Sequence, residues 1–361
     1  MKTVVSFFLL CSVASADLMF VGAGDEASFQ STISAPGVSH DWIIQPDAVL
    51  TGLNISGRQG DTFTFQPGTS LIGNVQTQDN WQADRGVVNI LDSNVLIAGL
   101  KATNAYTFLN DGNHQHQAST VLNVQRSTAN FTGSTFTSNG KSAVWINSGS
   151  NVGFDFVQVH GHYFTTGVIG SNFTANDSTF HSFNPTEAGD KHSALWAGAA
   201  MTDLGVDYKG ATLGFTNSLF DMDTGTAIVS GNGNDLDYRA TVTLDNTELD
   251  FSTNDGIRPV GVLDYHENYH GITVNMVGDY DQADVLMSGP LPNTDYGWLI
   301  DSRGTTGIPL SALEVCFPDG TCAVGSVDGI QYQVAAVPEP SSFLLMGLIA
   351  LLAIGYRKYH A

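Results

Sequence analysis

Basic residues are scarce in this sequence of 361 residues, in which 13 Lys and Arg stand against 35 Asp and Glu. The formal net charge of −22 excludes nucleic acid as a partner, because a phosphate backbone would repel such a surface. Charged residues of both signs make up only 13% of the chain. Asn, Ser and Thr must therefore supply much of the polar surface, and the 39 Gly residues suit short strands joined by tight turns.

The first 16 residues have the pattern of a secretory signal. Lys2 provides the positive start, residues 4–10 form a short apolar core, and small residues at 14–16 mark a cleavage site. The predicted cleavage lies between Ala16 and Asp17. We therefore expect the protein to be exported.

Cysteine is almost absent, at three residues, and Cys11 would leave with the signal. Cys316 and Cys322 would remain, on either side of a Pro-Asp-Gly turn. In an exported protein two such cysteines most simply form one disulfide that closes a hairpin. A thiolate metal site is the weaker alternative, because neither a further cysteine nor a nearby histidine completes a tetrahedral set.

The central part of the chain consists of loosely repeated strand pairs. The clearest copy, residues 129–146, predicts strands at Asn130–Thr137 and Ser142–Ile146, divided by a Ser-Asn-Gly turn. A strand pair of this length cannot bury its own apolar side, so the copies must stack on one another. Apolar positions that anchor successive copies are Phe136, Val157, Phe180, Phe220 and Leu249.

Residues 86–300 resemble the right-handed parallel β-helix of pectate-lyase-like proteins, on the basis of the repeat spacing and of corner residues such as Asn94, Asn176, Asn217 and Asn246. The predicted fold is all-β, with residues 17–85 as an N-terminal β cap or first coils and 301–337 as a C-terminal β cap. A β-sandwich remains the alternative, because its strands have similar spacing. In a β-helix one continuous interior would contain Phe136, Val144, Ile146, Phe156, Phe180, Phe220, Val229 and Val242.

Residues 338–361 form the most specific segment. Pro338, Glu339 and Pro340 precede an uninterrupted apolar run, and Arg357 and Lys358 follow it. This arrangement resembles the PEP-CTERM sorting signal, which is processed by exosortase, a membrane-embedded cysteine transpeptidase. The apolar run at 343–356 is predicted to be a single membrane helix, with the basic pair on the cytoplasmic side.

Histidine occurs in three close pairs, His114/His116, His160/His162 and His266/His270. Two histidines separated by one residue on a strand point to the same side, as a metal site requires. Each pair lies in a polar segment where exposed histidine is ordinary, so no metal site is predicted. The densest polar cluster contains Asp264, His266, Glu267 and His270.

Carboxylates that could serve a polysaccharide hydrolase are few. Asp221 and Asp223 are two residues apart, so on a strand both side chains could face one groove. Asp255 lies in an Asn-Asp-Gly segment. Together with Asp264, His266, Glu267 and His270 they form the catalytic set of this alternative. The sequence contains no Asp-Asp pair, and its motifs do not follow the order seen in β-helix glycosidases. A lyase would need an Arg or Lys base beside calcium ligands. No cofactor is predicted, and calcium is the one cofactor that the sequence does not exclude.

The sequence as a whole predicts an exported, non-enzymatic protein of the cell surface or the extracellular, exopolysaccharide-associated matrix. It would be anchored transiently in the membrane and processed by exosortase after passing the export machinery. The alternative is a polysaccharide hydrolase or lyase on the same fold. A groove that gathers two carboxylates, or a carboxylate and a base, would favour the enzyme.

Overall fold

The computed structural model describes residues 17–75, 86–106, 120–140, 142–161, 164–182, 193–198, 200–222, 226–231, 239–250, 258–262, 272–278, 313–316, 318, 320–324 and 333–336. Most of these residues lie in short strands, which pair mainly in parallel. The strands form three long sheets, A, B and C, and the protein is all-β with a single described helix, α1 (Glu26–Ile33).

Sheet A has 13 strands within the described ranges. These are β1 (Asp17–Val21), β2 (His40–Ile44), β4 (Gln59–Phe65), β7 (Asn94–Ala98), β10 (Thr128–Thr132), β13 (Asn151–Asp155), β16 (Asn172–Asn176), β21 (Thr212–Thr216), β24 (Ala240–Asp245), β27 (Ile272–Val277), β28 (Leu313–Cys316), β29 (Thr321–Val324) and β30 (Gln333–Ala336).

Sheets B and C are smaller. Sheet B contains β3 (Leu53–Ser56), β6 (Val88–Leu91), β9 (Leu122–Gln125), β12 (Val144–Asn147), β15 (Phe164–Ile169), β18 (Ser193–Gly198), β23 (Thr226–Gly231) and β26 (Arg258–Val262). Sheet C contains β5 (Leu71–Gly73), β8 (Lys101–Asn104), β11 (Thr135–Ser138), β14 (Gln158–Gly161), β17 (Thr179–Ser182), β22 (Leu219–Met222) and β25 (Glu248–Asp250).

From β3 to β25, each turn of the coil runs through one strand of sheet B, one of sheet A and one of sheet C, as in β9, β10 and β11. Strands of successive turns pair in parallel and in register, for example β10 with β13. This architecture fits the predicted parallel β-helix, whereas a β-sandwich would pack two antiparallel sheets. Each turn thus contains three strands, and the single strand predicted at Asn130–Thr137 is divided into β10 and β11.

The bend between sheets A and C takes two residues in every turn from β7 to β25. The first residue of the bend has positive φ, and the residues in that position are Gly99, Gly133, Phe156, Asp177, Asn217 and Asn246. The prediction of corner asparagines is right for Asn217 and Asn246. It is wrong for Asn94 and Asn176, which lie within β7 and β16.

Buried side chains of the three sheets form one continuous hydrophobic core. Of the predicted core residues, Phe136, Val144, Ile146, Phe180, Phe220 and Val242 are buried in it. Phe156 is an exception, because its side chain is 61% exposed. Its backbone occupies the left-handed bend with φ of 53°, which turns the side chain away from the core. The backbone of Val229 lies in β23.

The strands before residue 86 pair into the same three sheets as those after it, since β4 pairs with β7 and β3 with β6. Helix α1 lies beside the first turns and buries Phe29 and Ile33. The ring of Phe29 contacts Trp42 at a centroid distance of 5.0 Å. This helix was not predicted from the sequence, from which only strands were expected in this segment.

A hairpin, β19 (Ala200–Asp203) and β20 (Val206–Lys209), leaves the coil between sheets B and A. Asp203 reaches back to pair with the guanidinium of Arg126, which also binds Asp92 at 2.8 Å. Residues 126 and 203 are 77 positions apart in the sequence, so this contact ties the hairpin to an earlier turn.

Candidate functional site

A shallow groove crosses the outer face of sheet A, with a cavity volume of about 520 Å³. Its middle follows one register column through successive strands, Thr62, Leu96, Asn130, Gly153 and Thr174. Side chains in this column point outward because their neighbours in sequence, such as Phe131 and Phe154, are buried in the core. The groove therefore runs along the direction in which the turns stack.

At Gly153 the missing side chain leaves room for the side chain of Asn130. A Cβ atom there would collide with the side-chain oxygen of Asn130, which occupies the space above the glycine. Farther along the same column lies a second residue without a side chain, Gly214, which pairs with Thr174 on one side and with Thr243 on the other.

The groove is nearly uncharged, and most of the surface that lines it is apolar. Among its lining residues Asp155 is the only one with a charged side chain, and none is Lys, Arg or His. Asp155 accepts a hydrogen bond of 3.0 Å from the side-chain nitrogen of Asn176 on the next strand. Leu96, which is half exposed, adds an apolar surface. The groove offers amide, hydroxyl and apolar groups to a ligand and does not gather two carboxylates.

A second outer surface, on sheet C, carries titratable groups. His160 on β14, His181 on β17 and Asp221 on β22 are register neighbours in adjacent strands. The rings of His160 and His181 lie 5.7 Å apart between centroids, with an interplanar angle of 88°. Nε2 of His181 lies 3.9 Å from Oδ2 of Asp221. We refer to these three residues as the sheet C column.

The surroundings of His160 favour its neutral form. Partial burial lowers the pKa of its imidazole, and the neighbouring His181 lowers that pKa further, while Asp221 acts in the opposite direction. At neutral pH this ring therefore carries no charge. A neutral imidazole has a free nitrogen lone pair, which can accept a proton or bind a cation.

The sheet C column contains one residue of the predicted catalytic set, Asp221. Its other members, Asp223, Asp255, Asp264, His266, Glu267 and His270, lie outside the described residues, as do His114, His116 and His162. Within the described part of the chain no group of three or more His, Cys, Asp or Glu side chains is already placed to hold a metal ion.

His181 was not among the site residues predicted from the sequence. The predicted anchor Val157 is not equivalent to Phe136 and Phe180, because the register pairs Phe136 with Val159 and Val159 with Phe180. His160 follows the true anchor Val159 and His181 follows Phe180, so a repeat alignment shifted by two residues would have found both histidines.

The end of the chain matches a known family model. Residues 336–358 match the PEP-CTERM protein-sorting motif. The chain carries a PEP-CTERM sorting signal. The match includes the predicted motif residues Pro338, Glu339 and Pro340 and the basic pair Arg357 and Lys358. A search of curated proteins found no match to the chain.

The PEP-CTERM signal indicates export and membrane-associated processing by exosortase. The predicted membrane helix at 343–356 lies outside the described residues, and so do the signal peptide and the PEP-CTERM tail from residue 337 onward. In the part of the chain that is described, no helix has the length and apolar character needed to cross a membrane.

Near this signal the coil ends in an antiparallel meander of β28, β29 and β30. Cys316 is disulfide-bonded, and Cys322 lies directly opposite it across the β28–β29 pair. The bond between these two residues stays a prediction, which the register supports.

Proposed function

We propose that this PEP-CTERM protein is a non-enzymatic component of the cell surface or extracellular polymer layer, whose β-helical body binds polysaccharide along the groove of sheet A. The sorting signal at residues 336–358 carries the proposal, because it directs an elongated repeat protein out of the cell. The signal peptide predicted at residues 1–16, with cleavage between Ala16 and Asp17, belongs to the same route.

The chemistry of the groove supports a neutral polysaccharide over an anionic one. Asp155 would repel uronic or sulfated sugars, and no cationic side chain lines the groove to offset it. The amide of Asn130 and the hydroxyls of Thr132 and Thr174 can exchange hydrogen bonds with sugar hydroxyls. Because adjacent strands lie about 4.8 Å apart, a linear polymer that follows the column would contact one turn after another.

The sorting part of the proposal is tested by replacing Pro338, Glu339 and Pro340 with alanine in a host that carries exosortase. Export should continue, while C-terminal processing should stop, so that the mature variant has a larger mass than the mature wild type. A matched control replaces Ser341 and Ser342 with alanine and should be processed normally. If wild type and triple variant both keep Ala361, the sorting proposal fails.

The binding part is tested by affinity electrophoresis of the full chain in gels that contain neutral or acidic polysaccharides. Retardation should occur with a neutral polymer and should decrease in Asn130→Ala and in Leu96→Ser. Gln158→Ala, which changes an exposed amide on sheet C, is the control and should migrate like the wild type. Equal retardation of all four proteins would exclude the groove as the binding surface.

A hydrolase or lyase is the second candidate function, and the sheet C column is the observation that favours it. Hydrolysis of a glycosidic bond requires two carboxylates on opposite sides of it. The column supplies Asp221, and the register of β25 places Asp250 in the next strand. Release of new sugar ends by wild type, but not by Asp221→Asn, would establish the enzyme in place of the binding protein.

A further inference from the structure

We propose that the sheet C column is a binding site for a divalent transition-metal ion, with His160, His181 and Asp221 as protein ligands and water in the remaining positions. The site lies on another sheet than the groove of sheet A, so it is independent of polysaccharide binding. Imidazole together with carboxylate suits Zn²⁺, Cu²⁺ or Ni²⁺ better than calcium, which prefers oxygen ligands.

Parallel pairing in register brings the three side chains together. His160, His181 and Asp221 occupy the same position on β14, β17 and β22, and the preceding residues Phe180 and Phe220 are fully buried. Side chains must alternate along a strand, so the three ligand candidates all lie on the outer face. Both members of the His181–Asp221 pair are partly accessible, at 27% and 41%.

The distance within the His181–Asp221 pair is close to that between two ligands of one ion. Ligand atoms lie about 2.0–2.2 Å from Zn²⁺, so two of them at a tetrahedral angle are about 3.4 Å apart. The 3.9 Å between Nε2 of His181 and Oδ2 of Asp221 is about 0.5 Å longer than this and is too long for a hydrogen bond. A small side-chain rotation would close the difference, and the bound ion would neutralise the carboxylate.

His160 completes the site after a rotation of its side chain. Its ring stands nearly perpendicular to that of His181, at a centroid distance of 5.7 Å. Rotation about its two side-chain torsions would turn a ring nitrogen toward the ion.

The full chain, purified without a histidine tag and stripped with a chelator, would be titrated with Zn²⁺ and with Cu²⁺ by calorimetry. We expect saturable binding that weakens at least tenfold in each of His160→Gln and His181→Gln and also weakens in Asp221→Asn. Spectra of bound Cu²⁺ should show nitrogen coupling from two imidazoles in the wild type and from one in each histidine variant. Binding should also weaken as the pH falls below about 6.5, because protons compete for the ring nitrogens.

Two controls separate this site from the histidine pairs that are close in sequence. His114→Gln/His116→Gln should bind the ion like the wild type, and so should His162→Gln. The proposal is overturned if the wild type binds neither ion, or if His160→Gln and His181→Gln both bind with unchanged affinity. Unfolding curves recorded for the metal-free variants would show that any lost binding does not reflect a lost fold.

Discussion

Arg58 and Asp61 form a buried two-point ion pair next to helix α1, with Nε–Oδ2 and Nη2–Oδ1 distances of 2.9 and 3.1 Å. Their side chains are 1% and 0% exposed. The indole nitrogen of Trp42 donates a further hydrogen bond of 2.9 Å to Asp61, and the backbone carbonyls of Ala35 and Val38 accept from Arg58. This network connects the segment after α1 to sheet A.

Asp61→Asn should therefore destabilise the protein strongly, because it leaves the guanidinium of Arg58 buried without a counter-charge. Removal of one partner of such a pair costs about 3–5 kcal/mol. The measurement is the free energy of unfolding from urea titration. Asp92→Asn is the matched control, because Asp92 is 52% exposed beside Arg126 and its replacement should cost at most about 1 kcal/mol. Equal losses in the two variants would contradict the prediction.

Phe180→Ala should remove a central part of the core. The ring is fully buried and contacts Phe215 and Phe220, each at a centroid distance of 5.3 Å. The cavity left behind should lower the free energy of unfolding by about 3–5 kcal/mol. Phe156→Ala changes the same side chain at an exposed position and should stay within about 0.5 kcal/mol of the wild type. A large loss in Phe156→Ala would show that the bend depends on this ring.

The sheet C column should make stability depend on pH. The pKa of His160 is lower in the folded state than its ordinary value of 6.5, so the unfolded chain binds a proton first as the pH falls. This contribution to stability is complete above about pH 6.5 and is lost as the pH falls through the folded pKa.

In urea titrations, wild type should therefore lose more stability than His160→Gln between about pH 7.5 and about pH 5. Asp221→Asn should show a steeper loss than wild type, because Asp221 raises the pKa of His160 and partly offsets burial and His181. Parallel pH profiles for wild type and His160→Gln would refute this assignment.

Cys316 and Cys322 should contain no free thiol in the exported protein. Their direct opposition across β28 and β29 suits the short span of a disulfide, in which the Cα atoms lie about 4.4–6.8 Å apart. Thiol counting on the denatured, non-reduced protein checks this expectation, and reduction should release two thiols. Cys322→Ser should expose the thiol of Cys316, and two thiols in the untreated wild type would exclude the bond.

Much of the fold could be predicted from the sequence, because a coil whose core repeats on every turn leaves regularly spaced apolar residues. Phe136, Phe180, Phe220 and Leu249 share one register column, as the sequence indicated. The exposed position of Phe156 could not be predicted in this way. Apolar residues alternate without interruption through Val152, Phe154 and Phe156, while the chain changes sheet between them.

The sheet C column could not be predicted from the sequence either. His160 and His181 are 21 residues apart, and only the register of β14 and β17 shows that they are neighbours. An error of two residues at one anchor was enough to place Gln158, not His160, in the equivalent position. The groove of sheet A depends on Gly153, whose importance follows from the space that Asn130 fills above it.

The bend between sheets A and C keeps a constant length of two residues, and this limits where the protein can accept inserted residues. One residue added there would reverse the inward and outward faces of the sheet C strand that follows, and would expose residues such as Phe220. The other connections already differ in length, since the hairpin of β19 and β20 is accommodated between sheets B and A. Insertions that arise during evolution should therefore accumulate at the connections that lead into and out of sheet B.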